Sequence, residues 1–493
     1  MNNPDLIAMK CVIAHRGQLA AFPTALAACL LAINGLAGAS QPQWPQFRGP
    51  NSSGVAQADK PPIEFGPATN LLWKIEVPNG LSSPVVWGDR IFLTAVAEDK
   101  LVTLCLNRRD GKLLWRQAVT AEKPREIHKK NHPATATAAT DGERVCVYFP
   151  TFGLLGYDVE GRELWRKPMP GLFARNGSGT SPALLNGSLV LNCDVEENKS
   201  FLVAFDPANG KERWRTARAE FLSSYTTPVL WQHDERDELI IVGSLRVVAY
   251  GLSDGKQRWF ASGTEAVSVC PTPVIGDGQL YVMSRSFGGA RLPPFAVFAL
   301  SMDKDGDGKI SREEAPRPFL EQGAFTGIDL DQDGFITEKE WEQAVVFLNK
   351  ADYGIFAVRA PGKESQGDLT ETHVAWKHRK GVAPVTSPLF YHGRIYVVQD
   401  GGRVTGIEAK GGKKLFEQER IGADGDYYAS PVAADGKIYF CSTRGTVTVV
   451  AAGDALQVLT RNELAESIMA TPAIADNKLY VRSGGHLWAF GVP

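Results

Sequence analysis

The stretch Asp110-Gly111-Lys112-Leu113-Leu114-Trp115 decides the fold. A tight glycine turn leads into a short strand, and a Trp follows the Gly by four residues. The same phrase returns with Gly161 and Trp165, Gly210 and Trp214, and Gly255 and Trp259. Weaker copies stand at Trp376, at Gly412 with Phe416, and at Gly453-Asp454 running into Val458. Neighbouring copies lie roughly 40–50 residues apart, except for one gap of about 117. Self-similarity at that period marks stacked or radial repeats.

A second phrase runs in step with the first. It is a small or hydroxyl residue, then Pro, then a short apolar run: Ser83-Pro84-Val85-Val86, Ser181-Pro182, Thr227-Pro228, Thr272-Pro273, Ser387-Pro388, Ser430-Pro431 and Thr471-Pro472. Thr137-Ala138 is a variant without the Pro, which makes eight starts. Pro is tolerated at the first residue of a strand, where its missing N–H costs least. Each full unit then reads as four short strands; in the seventh they fall near 429–434, 437–442, 446–451 and 456–461. The chain ends are complementary. Leu71 to Val77 is one strand with the repeat's Trp73 and no strands before it, while residues 468–490 supply three strands and stop. Joining them completes an eighth unit and removes exposed sheet edges. The expected fold is all-β: an eight-bladed β-propeller of four-stranded blades, closed by the N-terminal strand in the last blade.

The hydroxyl-Pro start, the Lys-Leu-Tyr-Val type of second strand and the Asp-Gly-Lys-x-x-Trp turn resemble the pyrroloquinoline-quinone-type propeller repeat. That family includes quinoprotein dehydrogenases and the propeller lipoprotein of outer-membrane assembly. The resemblance covers about residues 71–490, less one insertion. It implies the fold directly and leaves function open between binding and catalysis.

The insertion falls in the fifth unit and carries the most specific motif in the chain. Asp303-x-Asp305-x-Asp307-Gly308-x-Ile310-x-x-x-Glu314 repeats as Asp329-x-Asp331-x-Asp333-Gly334-x-Ile336-x-x-x-Glu340. These are two complete EF-hand loops, so two Ca²⁺ sites are expected, in a small α-helical insertion. Ca²⁺ is a hard cation that takes about 6–8 oxygens. Loop positions 1, 3 and 5 supply carboxylates, and position 7 a backbone carbonyl, here Lys309 and Phe335. Position 9 acts often through water, here Ser311 and Thr337, and Glu314 and Glu340 bind through both oxygens. Gly at position 6 permits the sharp turn. Three clustered Asp repel one another without metal, so binding and folding are coupled. Pro316 and Pro318 interrupt the helix after the first loop, and Phe295 to Leu300 fits strand or helix. A compact, structural pair is expected rather than an opening sensor.

Strand parity puts this insertion on the same face as the loops before each hydroxyl-Pro start. Those loops are polar and converge on the axis. They supply His128, Lys129, Asn131, His132, Arg175, Asn176, Tyr225, Glu265, Tyr427 and Tyr428 as candidates for binding at a funnel. Lys129 with Lys130 also fits a solvated loop, His128 with His132 lacks a third metal ligand, and Tyr427 and Tyr428 also fit rim packing. No catalytic set stands out.

The rest of the chain bounds the function. Its 493 residues are 44% hydrophobic with 49 Gly and 30 Pro, ample for a large core and too loop-rich for an all-helical protein. A formal charge of −2 gives no basis for nucleic acid as a partner. Residues 1–39 read as a secretory leader, with Lys10 and Arg16 ahead of an apolar stretch and Ala37-Gly38-Ala39 at its end. Leu26-Ala27-Ala28-Cys29 also resembles a lipoprotein box, so membrane contact is expected only through a lipid on Cys29 or a retained leader. The expected domains are the leader (1–39), a Pro- and Gly-rich lead (40–70) draped over the body by its aromatics, propeller (71–286), the insertion (287–352) and propeller again (353–493). The five cysteines after the leader sit singly in apolar runs and read as buried small hydrophobes. Quinoprotein dehydrogenases commonly carry an adjacent-cysteine disulfide beside pyrroloquinoline quinone, and this chain has none. The sequence therefore favours an exported, non-enzymatic binding or scaffold propeller with a protein or envelope component as partner. The alternatives are a quinoprotein dehydrogenase and a hydrolase using carboxylates in the funnel.

Overall fold

The computed structural model describes residues 43–120, 127–172, 174, 176–196, 198–285, 292–321 and 324–492. The leader and Arg175 lie outside these residues. Eight antiparallel four-stranded units follow one another in the chain. Blade 1 holds Val85–Trp87, Arg90–Ala97, Lys100–Asn107 and Leu113–Val119. Blade 5 is interrupted: Val274–Gly276 and Gln279–Ser284 pair on with Gly354–Arg359 and Val374–His378. Blade 8 is composite. Its first three strands come from the C-terminus, and β3 (Leu71–Glu76) supplies the fourth, with Lys74 opposite Trp488. Both ends of the chain thus close the ring, as the sequence predicts.

Burial explains the strand sequences. First strands of neighbouring blades touch and line the axis. Second and third strands lie between neighbouring blades and are buried on both faces, so they read as unbroken apolar runs such as Leu189–Leu191 and Val247–Tyr250. Outer strands alternate half-buried and exposed residues, as in Glu212–Ala217.

The two sequence phrases each make one seam between blades. In the first, the repeat Trp lies on the turn glycine of the next blade. A Cβ on Gly161 would sit 2.6 Å from the Trp115 ring, one on Gly210 2.7 Å from Trp165, and one on Gly412 2.5 Å from Trp376. The indole N–H then donates to a carbonyl of the same turn: Trp73 to Arg108, Trp115 to Val159, Trp165 to Pro207, Trp214 to Leu252 and Trp376 to Ala409, at 2.9–3.1 Å. Glycine is required twice over, because these turns also hold positive φ, +89° at Gly161 and +67° at Gly210.

In the second phrase, seven of the eight start residues donate their backbone N–H to the hydroxyl of the next blade's start. Ser83 donates to Thr137, Thr137 to Ser181, Ser181 to Thr227, Thr227 to Thr272, Thr272 to Ser387, Ser387 to Ser430 and Ser430 to Thr471, at 3.0–3.4 Å. The result is a ring of hydroxyls around the axis at one face.

The lead drapes over the body only in its second part, where Phe65 packs on Phe490 and Ile63 accepts from Asn462; its first part enters the axis. β1 (Gln43–Trp44) pairs with the first strand of blade 1, and β2 (Val55–Ala56) runs parallel to that of blade 7. Between them, Pro45 accepts from Thr140, Gln46 from Leu184 and Asn51 from Leu230, and Arg48 donates to Pro388. One segment therefore bonds the inner strands of blades 1, 2, 3, 4, 6 and 7. Its aromatic and polar side chains satisfy an axle that eight short inner strands leave open.

The insertion forms α1 (Phe295–Met302), α2 (Arg317–Glu321), α3 (Ala324–Ile328) and α4 (Glu338–Asn349). The ambiguous 295–300 stretch is helical, and the two prolines leave α2 only one short turn. A small core of Phe295, Ile310, Phe325, Ile336 and Trp341 holds the unit, with Phe298 stacked on Trp341. Asp352 ties its foot to the wheel: its N–H donates to Thr264, and its carboxylate binds Lys377 and Arg379.

Candidate functional site

The twin acidic loops are built as their spacing predicts. Ile310 pairs with Ile336 in a two-residue antiparallel contact, which sets the loops side by side. Carboxylate oxygens of Asp303, Asp305 and Asp307 lie within 4.8 Å of one another, as do those of Asp329, Asp331 and Asp333. Backbone N–H groups orient them: Gly306 and Gly308 donate to Asp303, Lys309 to Asp307, Gly334 to Asp329 and Phe335 to Asp333. Gly308 and Gly334 take φ of +81° and +91°, as a sharp turn at position 6 needs. Glu314 accepts from Lys304 and Ser311, and Glu340 from Leu330 and Thr337, so each twelfth-position carboxylate reaches back over its own loop. Thr337 and Glu340 form a full capping box at the start of α4. These bonds hold the Glu314 carboxyl down at about 2.

Asp329 tests the fit to a cation. It is buried, and its Oδ1 has no partner. Burial, with Glu340 and Asp333 close by, pushes its carboxyl above the ordinary range. A divalent cation would supply the missing partner and reverse that push. The donor set, all oxygen and carboxylate-rich, is compatible with Ca²⁺.

The second site is the axial funnel on the hydroxyl-ring face. It is a cavity of about 620 Å³. Phe47 of the axial lead is its floor, the ring hydroxyls Ser83, Thr137, Ser181, Thr272, Ser387, Ser430 and Thr471 are its waist, and Leu81, Val385 and Met469 add apolar wall. Of the candidates from sequence, His128, Lys129, Asn131, Asn176, Tyr225 and Tyr428 line it. They converge from loops of four blades. Asn131 Nδ2 donates to Asn176, and Asn176 Nδ2 donates to Tyr225 at 3.2 Å, so these residues brace one another. Lys130 reaches across the mouth to blade 7, where it pairs with Asp426 at 3.1 Å and bonds Tyr428.

Three candidates do not line the cavity. The His132 ring turns back and accepts from the Ala134 N–H, and burial lowers its basicity. Tyr427 is buried, with its hydroxyl donating to Ala423. Glu265 is buried beside Ser284, which accepts its N–H. Sequence reasoning missed Phe47, Met469 and Cys270. The hydroxyl ring was in plain view, since each member begins a repeat start; its role needed the neighbouring blade to be placed. The five cysteines of the body are free thiols, and only Cys270 is less than fully buried. Burial pushes the Cys270 thiol and the Tyr225 hydroxyl each up to about 12. Both therefore stay protonated at neutral pH.

A family model described as outer membrane protein assembly factor BamB matches residues 66–171, 98–290 and 332–492. The chain belongs to this family. A second model, described as EF hand, matches residues 301–314, which is the first acidic loop. No curated protein matches the chain. Among solved structures, BamB from Moraxella catarrhalis is 13% identical, covers 86% of this chain and 99% of its own, and gives a TM-score of 0.53. Quinohemoprotein alcohol dehydrogenase from Comamonas testosteroni is 12% identical, covers 92% and 82%, and also gives 0.53. The computationally designed Ika8 protein is 11% identical, covers 86% and 100%, and gives 0.52. At such identities these likenesses show the fold alone. BamB-family membership sets an assembly factor beside the dehydrogenases as fold relatives. Among the described residues no helix is long and apolar enough to cross a membrane.

Proposed function

We propose that this BamB-family chain is an exported, non-enzymatic binding propeller of the cell envelope. Its funnel face receives a protein or envelope component, and two Ca²⁺ ions set the insertion that rises from blade 5. The observation that carries the reading is the funnel itself, about 620 Å³ deep in the axis and floored by the chain's own lead. Its waist hydroxyls already accept backbone N–H groups from the preceding blade. Its thiol and its Tyr225 phenol are held protonated. Such groups suit recognition rather than nucleophilic attack. Export is supported by the apolar leader with its small-residue end, and by a family described by its part in outer-membrane assembly.

In the metal reading, Asp303, Asp305, Asp307, Lys309, Ser311 and Glu314 hold one ion. Asp329, Asp331, Asp333, Phe335, Thr337 and Glu340 hold the other. Titration calorimetry should give two Ca²⁺ per chain and one each for Asp303→Ala and Asp329→Ala. Unchanged stoichiometry in either variant would remove that site. A pull-down from native envelope, with and without Ca²⁺, tests the binding role. Steady dye reduction after adding pyrroloquinoline quinone, Ca²⁺ and an alcohol panel would overturn it in favour of a dehydrogenase.

A further inference from the structure

Among the described residues, three arginines are fully buried, and they are treated differently. Arg218 faces Asp194 through two bonds of 2.7 and 2.8 Å and also bonds Tyr250. Arg482 has no carboxylate, but oxygens surround it: Ser82 through its carbonyl and hydroxyl, Thr94 and Pro78. Arg48 has neither. Its one bond is Nη2 to the Pro388 carbonyl at 2.7 Å, and its Nε and Nη1 have no partner. It is 0% exposed and sits on the axial lead, where Nη2 lies 3.0 Å from a Cβ built on Gly54.

The surroundings sharpen the contrast. Residues 48–54 form one turn, closed by the Gly54 N–H donating to the Arg48 carbonyl at 2.8 Å. Ser52, on the same turn, is 0% exposed with its hydroxyl unpartnered. Two unpartnered polar side chains thus share a closed loop in the axle. A guanidinium stays charged at neutral pH even here, although burial pulls its pKa down to about 9. A buried charge with no counter-charge is among the costliest arrangements a core can hold. Water can satisfy the N–H groups, but only an anion also cancels the charge.

We propose that the axle carries a small monovalent anion against Arg48, with Ser52 as a second donor, and that this ion locks the lead into the wheel. Chloride, the commonest small monovalent anion in solution, is the species we name. The site is separate from the calcium loops and from the funnel lining.

The test uses the whole exported chain, crystallised with bromide in place of chloride. An anomalous peak in contact with Arg48 Nε or Nη1 is the expected result. Ordered water there without anomalous signal would overturn the proposal. A second measurement runs in solution, where thermal unfolding is followed in chloride against gluconate at matched ionic strength. The wild type should gain a few degrees in chloride. Arg48→Met, which removes the charge and keeps the bulk, should lose that gain and melt no lower than the wild type in gluconate. An equal chloride gain in both proteins would also overturn it. If Arg48→Met does not fold, the bromide crystal of the wild type decides alone.

Discussion

Two seams of the wheel solve the same problem with different chemistry. Between blades 2 and 3, Trp165 lies on Gly210 and donates to Pro207 at 2.9 Å. Between blades 4 and 5 the same Trp is present as Trp259, but blade 5 no longer offers the glycine turn. There the indole N–H donates to the buried Glu238 at 2.8 Å, and the His233 ring meets the same oxygen at 2.9 Å. Gly367–Asp368, from the linker that replaces the turn, adds as a parallel strand along Trp259 and Phe260. The lesson is that the indole N–H must find an acceptor: where the next blade offers no glycine turn, Trp259 takes Glu238 from its own blade. Blade 5 carries both irregularities, the acidic-loop insertion and the altered turn, and blade 4 has adjusted to it.

The largest effect is expected at the regular seam. Trp165→Ala removes a nearly buried ring and its hydrogen bond, and should cost about 3–5 kcal/mol in urea unfolding. Gly210→Ala should be costly in the wild type, because the new methyl meets the Trp165 ring at 2.7 Å. In the Trp165→Ala background the same change should cost less, leaving mainly the strain of a positive φ. Additive costs would break the claim that ring and glycine form one unit.

That unit also shows what the sequence could and could not yield. The period, the eight starts, the closure of the ring by Leu71–Glu76 and both acidic loops were legible, because each follows from local spacing. Glycine and Trp were visible as a pair, yet they sit four residues apart in one blade and touch across two. Residues related by ring geometry carry no local signal. For the same reason Tyr428 lines the funnel while its neighbour Tyr427 is buried, and no strand pattern separates them. The lead is the clearest miss. Its aromatics were expected to hold it against the body, but an axle was visible only once the inner strands were placed.

The rebuilt seam should be smaller in effect and more informative. Burial pushes the Glu238 carboxyl up, but His233, Trp259 and Arg236 outweigh it and hold it below its ordinary range. Glu238→Ala leaves the Trp259 indole and the His233 ring without their acceptor in a dry site, at about 1–3 kcal/mol. Glu238→Gln keeps an oxygen for the indole and should recover part of that loss. If both variants unfold like the wild type, the strand at Gly367 carries the seam and the carboxylate does not.

The closing junction inside blade 8 is the third comparison, and pH separates it from the regular seams. Glu466 accepts from Ser483 at 2.6 Å, meets His486 at 2.8 Å and pairs with Lys74 of β3 at 3.0 Å. Lys74 in turn lies over the Trp488 ring. Burial pushes the Glu466 carboxyl up, but these partners outweigh it and hold it at about 2. In the unfolded chain a Glu titrates near about 4.3. A folded carboxyl held below its unfolded value stabilises fully above about pH 4.3, and that contribution is lost as pH falls towards 2. The regular seams, built from indole, glycine and backbone carbonyls, hold no group that titrates there. Urea unfolding of the wild type between pH 5 and 3 should therefore steepen with acid by up to about one proton relative to Glu466→Gln. Both proteins should share the remaining slope, which comes from other carboxylates. Parallel acid limbs would mean that Lys74 and His486 bind Glu466 no better folded than unfolded, and that the ring is closed by the backbone pairing of β3 alone.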